Sequence, residues 1–344
     1  MSRELLNTLF VMTQEAYVRL EGDTLKVEAE GKTISQVPLH HIGSVVLFGR
    51  AMISPAAMHR CAEDGRSVTF LDSHGRFKAR LVGPVCGNIL LRQSQYAVYE
   101  DDNRKSDISR CIVAGKLQNS RVLLMRAARE SKSDDIRHTL KVASNDIAQL
   151  IRSLPSMETV ERIRGCEGQG AACYFNVFDN MIVSQRTDFS FGGRNRRPPR
   201  DRVNALLSFA YALLANDCTS ALEGVGLDPQ LGYLHAIRSG KPALALDLME
   251  EFRPAIAERL VLSLINLKQI RAEHFSERPG HSVMMNDEGK KIFLVAYQKR
   301  KQEEVSHPQM KTKVAMGLIP HLQARILARY IRNDIDSYIP FIPR

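Results

Sequence analysis

The sequence predicts an α+β protein, in which a small β-rich N-terminal domain precedes a larger all-α domain. Up to about residue 85, short apolar runs alternate with Gly, Asp and Ser, a pattern typical of strands and turns. From about residue 100, apolar residues recur at the helical spacing almost to the C-terminus. A chain of 344 residues is long enough for two domains, and we expect them to be 1–98 and 99–344.

Within the N-terminal domain, six short runs predict strands and one run predicts a helix. The helix lies in "SPAAMHRCAEDG", where Ser54 is placed to cap it, Pro55 to begin it and Gly65 to end it. The predicted strands are "TLFVMT", "AYVRLEG", "TLKVEAEG", "IGSVVLFG", "SVTFLD" and "RFKARLVG".

The polar stretch "YEDDNRKSD", residues 99–107, predicts a linker between the domains. Beyond it, apolar residues with helical periodicity predict long helices, and we find no internal repeat. The clearest of these segments are "ISRCIVAGKLQNSRVLLMRAA", "IRHTLKVASNDIAQLIRSL", "VNALLSFAYALLAND" and "IAERLVLSLINLKQI".

Composition narrows the classes of function. A formal charge of +10 and a pI of about 9.4 favour a polyanionic partner such as nucleic acid. Six scattered cysteines without a CxxC pair predict reduced thiols. No apolar run approaches the roughly 18 to 20 residues that span a bilayer, and no signal peptide is evident, so we expect a cytoplasmic protein without a membrane partner. "GKT" at 31–33 predicts a turn between two strands and not a phosphate-binding loop.

The segment "LALDLMEEF", residues 244–252, predicts an amphipathic helix with three acids on its polar side. Asp247 lies three and four residues before Glu250 and Glu251, and like charges at these spacings cost about 0.2 to 0.5 kcal/mol per pair. Arg253 offers the only local compensation. Two interpretations stay open at this point: a solvated acidic face, or a site for a divalent cation.

Two further segments could contribute to such a site. In "RGCEGQGAACYF", residues 164–175, three glycines surround Glu167, which predicts either a carboxylate that faces a ligand or an incidental loop. His235 is either a core histidine or a metal ligand. The ligand interpretation is possible because the turn "RSGKP" could fold His235 back toward the acids. Carboxylates with one imidazole suit magnesium or manganese, and the nitrogen favours manganese.

A basic segment, "GGRNRRPPRDRVNALL", precedes one of the predicted helices. Arginine guanidinium groups match phosphate oxygens well, so the segment indicates either contact with a nucleic-acid backbone or only a solvated loop. The five arginines are Arg194, Arg196, Arg197, Arg200 and Arg202.

Several long blocks, taken together, resemble the CRISPR-associated endonuclease and integrase family Cas1, and within it the type I-C branch. The resemblance extends over essentially the whole chain, including both domains. In chain order the blocks are "GCEGQGAACYF", "PPRDRVNALLSFAYALL", "GLDPQLGYLHAIRSGKPALALDLMEEFRP", "AYQKRKQEEVSHP" and "LARYIRNDIDSYIPF".

The resemblance implies a metal-dependent enzyme that inserts captured DNA into a CRISPR array. It implies that Glu167, His235 and Glu250 hold a magnesium or manganese ion, and that Asp247 is a further catalytic acid. Helix geometry alone does not choose between Glu250 and Glu251; the acid spacing of the family selects Glu250. A DNA 3′ hydroxyl would attack a target phosphodiester, and water in its place would give nuclease activity.

The resemblance also implies partners: double-stranded DNA as spacer precursor and CRISPR repeat, a second copy of the chain, and the smaller protein Cas2. The β-rich domain would provide the homodimer contact. Two alternatives remain at this stage, namely a stand-alone metal-dependent DNA nuclease or resolvase, and a non-catalytic DNA-binding scaffold whose acids are solvated.

Overall fold

The computed structural model describes residues 7–73, 75, 77–81, 83, 89–195, 198–278, 282–309 and 312–343. Its N-terminal region is β-rich, and the helix α1, Pro55–Glu63, interrupts the strands as predicted. The Ser54 hydroxyl accepts a hydrogen bond from the Ala57 amide at 3.2 Å, which confirms the predicted cap. The strands are β1 Thr8–Val11, β2 Tyr17–Glu21, β3 Thr24–Ala29, β4 Lys32–Pro38, β5 Ser44–Phe48, β6 Met52–Ile53, β7 Ser67–Leu71 and β8 Phe77–Leu81.

The strands form two four-stranded sheets. In one sheet the order is β1-β5-β7-β8, with β1, β5 and β7 parallel and β8 antiparallel to β7. In the other the order is β4-β3-β2-β6, and a tight turn at Gly31 joins β3 to β4. Of the "GKT" tripeptide, Gly31 lies in the predicted turn, whereas Lys32 and Thr33 already belong to β4.

One sheet packs against the helices through the alternation of its strands. In β5, Val45 and Leu47 belong to the core between the sheets, whereas Val46 and Phe48 belong to the helical core. The Phe48 ring lies 6.3 Å from the ring of Phe209, measured between centroids. The β-rich and helical regions thus share a packed, partly apolar interface.

The C-terminal region is mostly helical, which confirms the predicted fold class. Two short antiparallel hairpins also occur there, so this region is not all-helical. The helices are α2 Ile89–Glu100, α3 Asp102–Glu130, α4 Asp134–Ser153, α5 Val160–Asn176, α6 Arg202–Val225, α7 Ala243–Glu250, α8 Arg259–Asn266, α9 Asp287–Gln302 and α10 Ile319–Ile331. The hairpins pair β9 Phe275–Arg278 with β10 Ser282–Met285, and β11 Glu304–Ser306 with β12 Lys313–Ala315.

The prediction of a linker at 99–107 is wrong. This stretch contains the end of α2 and the first turns of α3, with Asp101 as the only residue between them. The Asp101 carboxylate accepts hydrogen bonds from the amides of Asn103 and Arg104, at 3.0 and 3.1 Å. Polar residues therefore cluster here because they begin a helix.

Helix α6 is the centre of the helical region and contacts α7 and α10. Contrary to the expectation from the sequence, it is long and apolar enough to cross a membrane by length and composition alone. More than half of that apolar stretch is buried inside the protein. A buried core helix meets the same two criteria, so the finding gives no independent indication of a membrane span.

The C-terminal segment of the chain packs against helix α3 at Gly115. A Cβ atom on Gly115 would lie 2.6 Å from the rigid ring of Pro340 and 3.3 Å from the Glu251 side chain. By contrast, a Cβ atom on Gly168, within α5, would meet nothing within 4 Å. Both glycines lie within helices, so an alanine substitution raises helix propensity at either position. Comparing the two substitutions therefore isolates the effect of packing at Gly115.

We predict that Gly115→Ala lowers the free energy of unfolding by about 1 to 3 kcal/mol, because the added methyl group would overlap the rigid ring of Pro340. The matched variant Gly168→Ala should raise it by up to about 1 kcal/mol through better helix propensity. Urea denaturation of both variants measures the difference. A stabilising Gly115→Ala change would contradict the described packing.

Candidate active site

Helix α5 presents Glu167 on a surface with little side-chain bulk. The helix runs without a break through Gly165, Gly168 and Gly170, so the interpretation as an incidental loop is wrong. Gly170 allows α3 to approach, since a Cβ there would lie 2.1 Å from Leu117. Gly165 and Gly168 are exposed and open, which leaves room for a large ligand beside the half-buried Glu167.

Asp247 organises the loop that carries His235. Its buried carboxylate accepts hydrogen bonds from the amides of Tyr233, Leu234 and His235 at 2.6, 2.9 and 2.9 Å. A further oxygen contact, at 2.7 Å, reaches Nδ1 of the His235 ring. This contact leaves Nε2 as the ring nitrogen that is available to a ligand.

The loop therefore folds back onto α7, as the sequence predicted. Gly232 is required for this close approach, because a Cβ there would lie 2.7 Å from Ala243 and 2.9 Å from the Asp247 carboxylate. Arg164, on α5, fastens the loop from the other side and donates to the Leu234 carbonyl at 2.7 and 3.1 Å.

Glu250 and Glu167 meet at one lysine. The Lys116 ammonium, on α3, donates to Glu167 and lies 2.6 Å from an oxygen of Glu250. Arg253 donates to both oxygens of Glu250, at 2.8 and 3.0 Å. Burial opposes the charged carboxylate, but the positive charges of Arg253 and Lys116 outweigh it and hold the pKa of Glu250 well below its usual value.

Glu251 has a different environment from Glu250. Its buried carboxylate accepts hydrogen bonds from the Tyr338 hydroxyl, the Gln323 amide and the Phe341 backbone amide. Burial raises the pKa of Glu251 to about 7, although these hydrogen bonds lower it. Glu251 therefore anchors the C-terminal segment, while Glu250 faces Lys116 and Glu167.

All three acids of the α7 segment are buried: Asp247 is 0% exposed, Glu250 3% and Glu251 0%. The interpretation as a solvated acidic face is therefore wrong. The predicted local compensation by Arg253 is present in the structure. Buried carboxylates need partners, and each of these three has them.

The site fits a hard divalent cation by charge and donor type. Within the described residues, no three His, Cys, Asp or Glu side chains already converge as a ligand set. Instead, the Lys116 ammonium lies between two of the expected ligands. Counting Glu167, Asp247, Glu250 and Glu258 against Lys116 and Arg253 leaves a formal charge of −2 with His235 neutral. One divalent cation would balance that charge.

Tyr211 and Glu258 support the site but had no signal of their own in the sequence. The Arg253 guanidinium lies 4.3 Å from the centre of the Tyr211 ring, and the Tyr211 hydroxyl donates to Glu258 at 2.6 Å. Arg194 contacts the same ring at 5.3 Å and donates to Asn204 at 2.6 Å. Arg194 therefore supports Tyr211 and, through it, Arg253.

The remaining predicted DNA contacts have different placements. Arg200 is exposed, whereas Arg202 donates to the Asp188 carbonyl at 2.7 Å. Arg196 and Arg197 lie outside the described residues. Contact with DNA stays a prediction for this segment, and among its described arginines Arg200 presents the most accessible side chain.

Two carboxylates gathered on one cation, an imidazole held by another acid of α7 and a basic chain are together compatible with a metal-dependent enzyme that acts on nucleic acid. The family model for CRISPR associated protein Cas1 matches residues 9–299. The chain is 52% identical to a CRISPR-associated endonuclease Cas1 of Moorella thermoacetica, over 99% of each protein. It is 47% identical to one of Chlorobaculum tepidum, over 98% of this chain and 99% of the relative. The chain belongs to the Cas1 family.

Solved structures show the same fold. A Cas1 protein from Thermotoga maritima has a TM-score of 0.80 and 22% identity, with 96% of this chain and 98% of that chain covered. A casposase bound to integration product has a TM-score of 0.82 and 21% identity, with 96% and 92% covered. These likenesses establish the arrangement of a β-rich region followed by a helical region.

We predict that Glu251→Gln changes how stability depends on pH. The pKa of Glu251 in the fold, about 7, exceeds its ordinary value of 4.5, so the folded state keeps a proton that the unfolded state releases. The stability from this group is complete below pH 4.5 and is lost as the pH rises through 7. As the pH rises from 4.5 to above 7, the free energy of unfolding of the native protein should therefore fall relative to that of Glu251→Gln.

Urea denaturation at intervals from about pH 4 to about pH 8 measures this difference. The exposed Glu161→Gln, on α5, is the matched control and should track the native protein. A constant difference between Glu251→Gln and the native protein at every pH would show that Glu251 does not titrate in this interval.

Proposed function

We propose that this chain acts in CRISPR adaptation as a metal-dependent DNA endonuclease and integrase that inserts spacer DNA into the CRISPR array. Its family supplies the enzymatic class, since the relatives are CRISPR-associated endonucleases and such Cas1 enzymes are metal-dependent. The observation that carries the proposal is the meeting of Glu167 and Glu250 on one positive charge, with His235 held by Asp247, another acid of the same helix as Glu250.

In this proposal Glu167, Glu250 and His235 would hold magnesium or manganese. The ion, when bound, would supply positive charge at the phosphodiester and orient the attacking oxygen. Asp247 would act as a positioning acid, because its contact with Nδ1 fixes the His235 ring and keeps Nε2 turned to the ligand. Arg253 would hold Glu250 ionised and in place.

The residues of the chain also suggest how DNA would be positioned. The open surface at Gly165 and Gly168 would let a phosphate backbone approach Glu167 closely. The exposed Arg200 would contact backbone phosphates, in keeping with the formal charge of +10. The attacking group would be a DNA 3′ hydroxyl for integration and water for cleavage.

We extend the proposal to partners, branch and location. The same fold occurs in a solved "Cas6-RT-Cas1–Cas2 complex", which supports Cas2 as a partner here. A homodimer through the β-rich domain, residues 1–98, with residues 99–344 as the catalytic domain, completes the proposed assembly. The sequence blocks quoted above support the type I-C branch, and a CRISPR enzyme would meet its DNA in the cytoplasm.

The alternatives differ in what they require. A stand-alone nuclease or resolvase would use the same ion but would need neither Cas2 nor a CRISPR repeat. The scaffold alternative placed the acids on a solvated face, whereas Asp247, Glu250 and Glu251 are buried and paired. Integration measured with and without Cas2 separates the integrase from the stand-alone nuclease.

We predict that Glu167→Ala lowers strand transfer by at least about a hundredfold, because a metal contributes several kcal/mol to such chemistry. The assay is transfer of a labelled DNA fragment into a supercoiled plasmid bearing a leader and repeat, with Cas2 and either Mg²⁺ or Mn²⁺. Binding of the fragment, measured by anisotropy, should stay near that of the native protein.

The control for this experiment is Glu161→Ala, which removes an exposed acid from the first turn of the same helix. It should transfer DNA at the native rate. Strand transfer that survives Glu167→Ala, in a folded protein, would exclude Glu167 from the reaction.

A further inference from the structure

Lys116 is an unusual residue for its position. It lies in the middle of α3 and is only 5% exposed, yet it carries a charge. Its ammonium donates to Glu167 of α5 and contacts Glu250 of α7 at 2.6 Å. Lysine is rarely buried without partners, and here both partners are expected metal ligands.

We propose that Lys116 is the counter-ion that the site carries before a metal binds, and that a divalent cation must displace its ammonium from between Glu167 and Glu250. Lys116 would thus keep the two carboxylates together in the metal-free protein and weaken metal binding at the same time. This inference rests on the proposed function, because it assumes that these carboxylates bind the ion.

Competition follows from the space between the carboxylates. A magnesium or manganese ion would be held by the carboxylates of Glu167 and Glu250, the same two groups that the ammonium now contacts. Two cations held by the same two groups would lie close together in a buried site, where like charges repel strongly. The lysine and the metal therefore cannot both occupy the position between Glu167 and Glu250.

The other cation of the site is held differently. One guanidinium nitrogen of Arg253, Nη1, donates to both oxygens of Glu250, and the guanidinium lies over the Tyr211 ring. Lys116 has a flexible four-carbon stem and, among the described residues, only the two carboxylates as charged partners. Metal binding should therefore move Lys116 and leave Arg253 in place.

The exchange also favours divalent over monovalent cations. Replacing the single charge of the ammonium by another single charge gains no electrostatic energy, whereas a double charge gains attraction to both carboxylates. Once Lys116 is displaced, the four carboxylates of the group are opposed only by Arg253, which leaves a formal charge of −3 that a double positive charge compensates better than a single one.

The test compares Mn²⁺ binding to metal-free, full-length proteins by titration calorimetry. We expect Lys116→Gln to bind Mn²⁺ about tenfold more tightly than the native protein, equivalent to about 1.4 kcal/mol. Its metal-free Tm should fall, because two carboxylates lose their counter-ion, and Mn²⁺ should raise that Tm by more than it raises the native one.

Two further variants act as controls. Lys105→Gln removes another lysine of α3, one that pairs with the exposed Asp102, and should bind Mn²⁺ like the native protein. Lys116→Arg keeps the charge and should not gain affinity. If metal-free Lys116→Gln does not fold, the chelator concentration that strips Mn²⁺ from the loaded proteins replaces the titration, and the variant should need more chelator.

Lys116→Gln could instead bind Mn²⁺ no more tightly than the native protein, while Glu250→Ala does not bind Mn²⁺ at all. This result would overturn the role of Lys116 and leave the proposed metal site intact. Native binding that survives both Glu250→Ala and Glu167→Ala would instead overturn the proposed metal site itself. Tighter binding by both Lys116→Gln and Lys105→Gln would show a general charge effect and would also overturn the specific role.

Discussion

The site depends on one buried contact, in which the Lys116 ammonium joins Glu167 and Glu250. Three helices, α3, α5 and α7, each contribute one of the three groups. Removing one partner from a buried ion cluster commonly costs about 3 to 5 kcal/mol, because an uncompensated charge remains. The contact therefore fixes the helices relative to one another and gathers two anionic groups that would otherwise repel.

A second set of buried groups holds the functional side chains in position. Asp247 binds three consecutive backbone amides and the His235 ring, so the loop and the ring orientation depend on one carboxylate. On the opposite side, Tyr211 lies against both Arg253 and Arg194. Arg194, grouped with the DNA-binding arginines by its sequence neighbours, contributes to the site through packing.

The sequence predicted the helices and strands whose apolar residues recur at regular spacing. It missed the elements and contacts that depend on residues far away in the sequence. The long helices and six strands are apolar at regular spacing, whereas β4 is a mostly exposed edge strand and β6 has only two residues. Helix geometry could not choose between Glu250 and Glu251, because adjacent helical residues differ only in what faces them; the family resemblance selected Glu250, and the structure shows the different surroundings of the two acids. Lys116 lies in an apolar stretch with no acid nearby in sequence, so no local pattern could identify it.

The most direct test is a crystal structure of the protein with Mn²⁺, measured at the manganese absorption edge. We expect a single anomalous peak within about 2.0 to 2.3 Å of oxygens from Glu167 and Glu250 and of Nε2 of His235. The Lys116 ammonium should have left the position between the two carboxylates. A peak elsewhere, or none, with Lys116 still joining Glu167 and Glu250, would contradict the account.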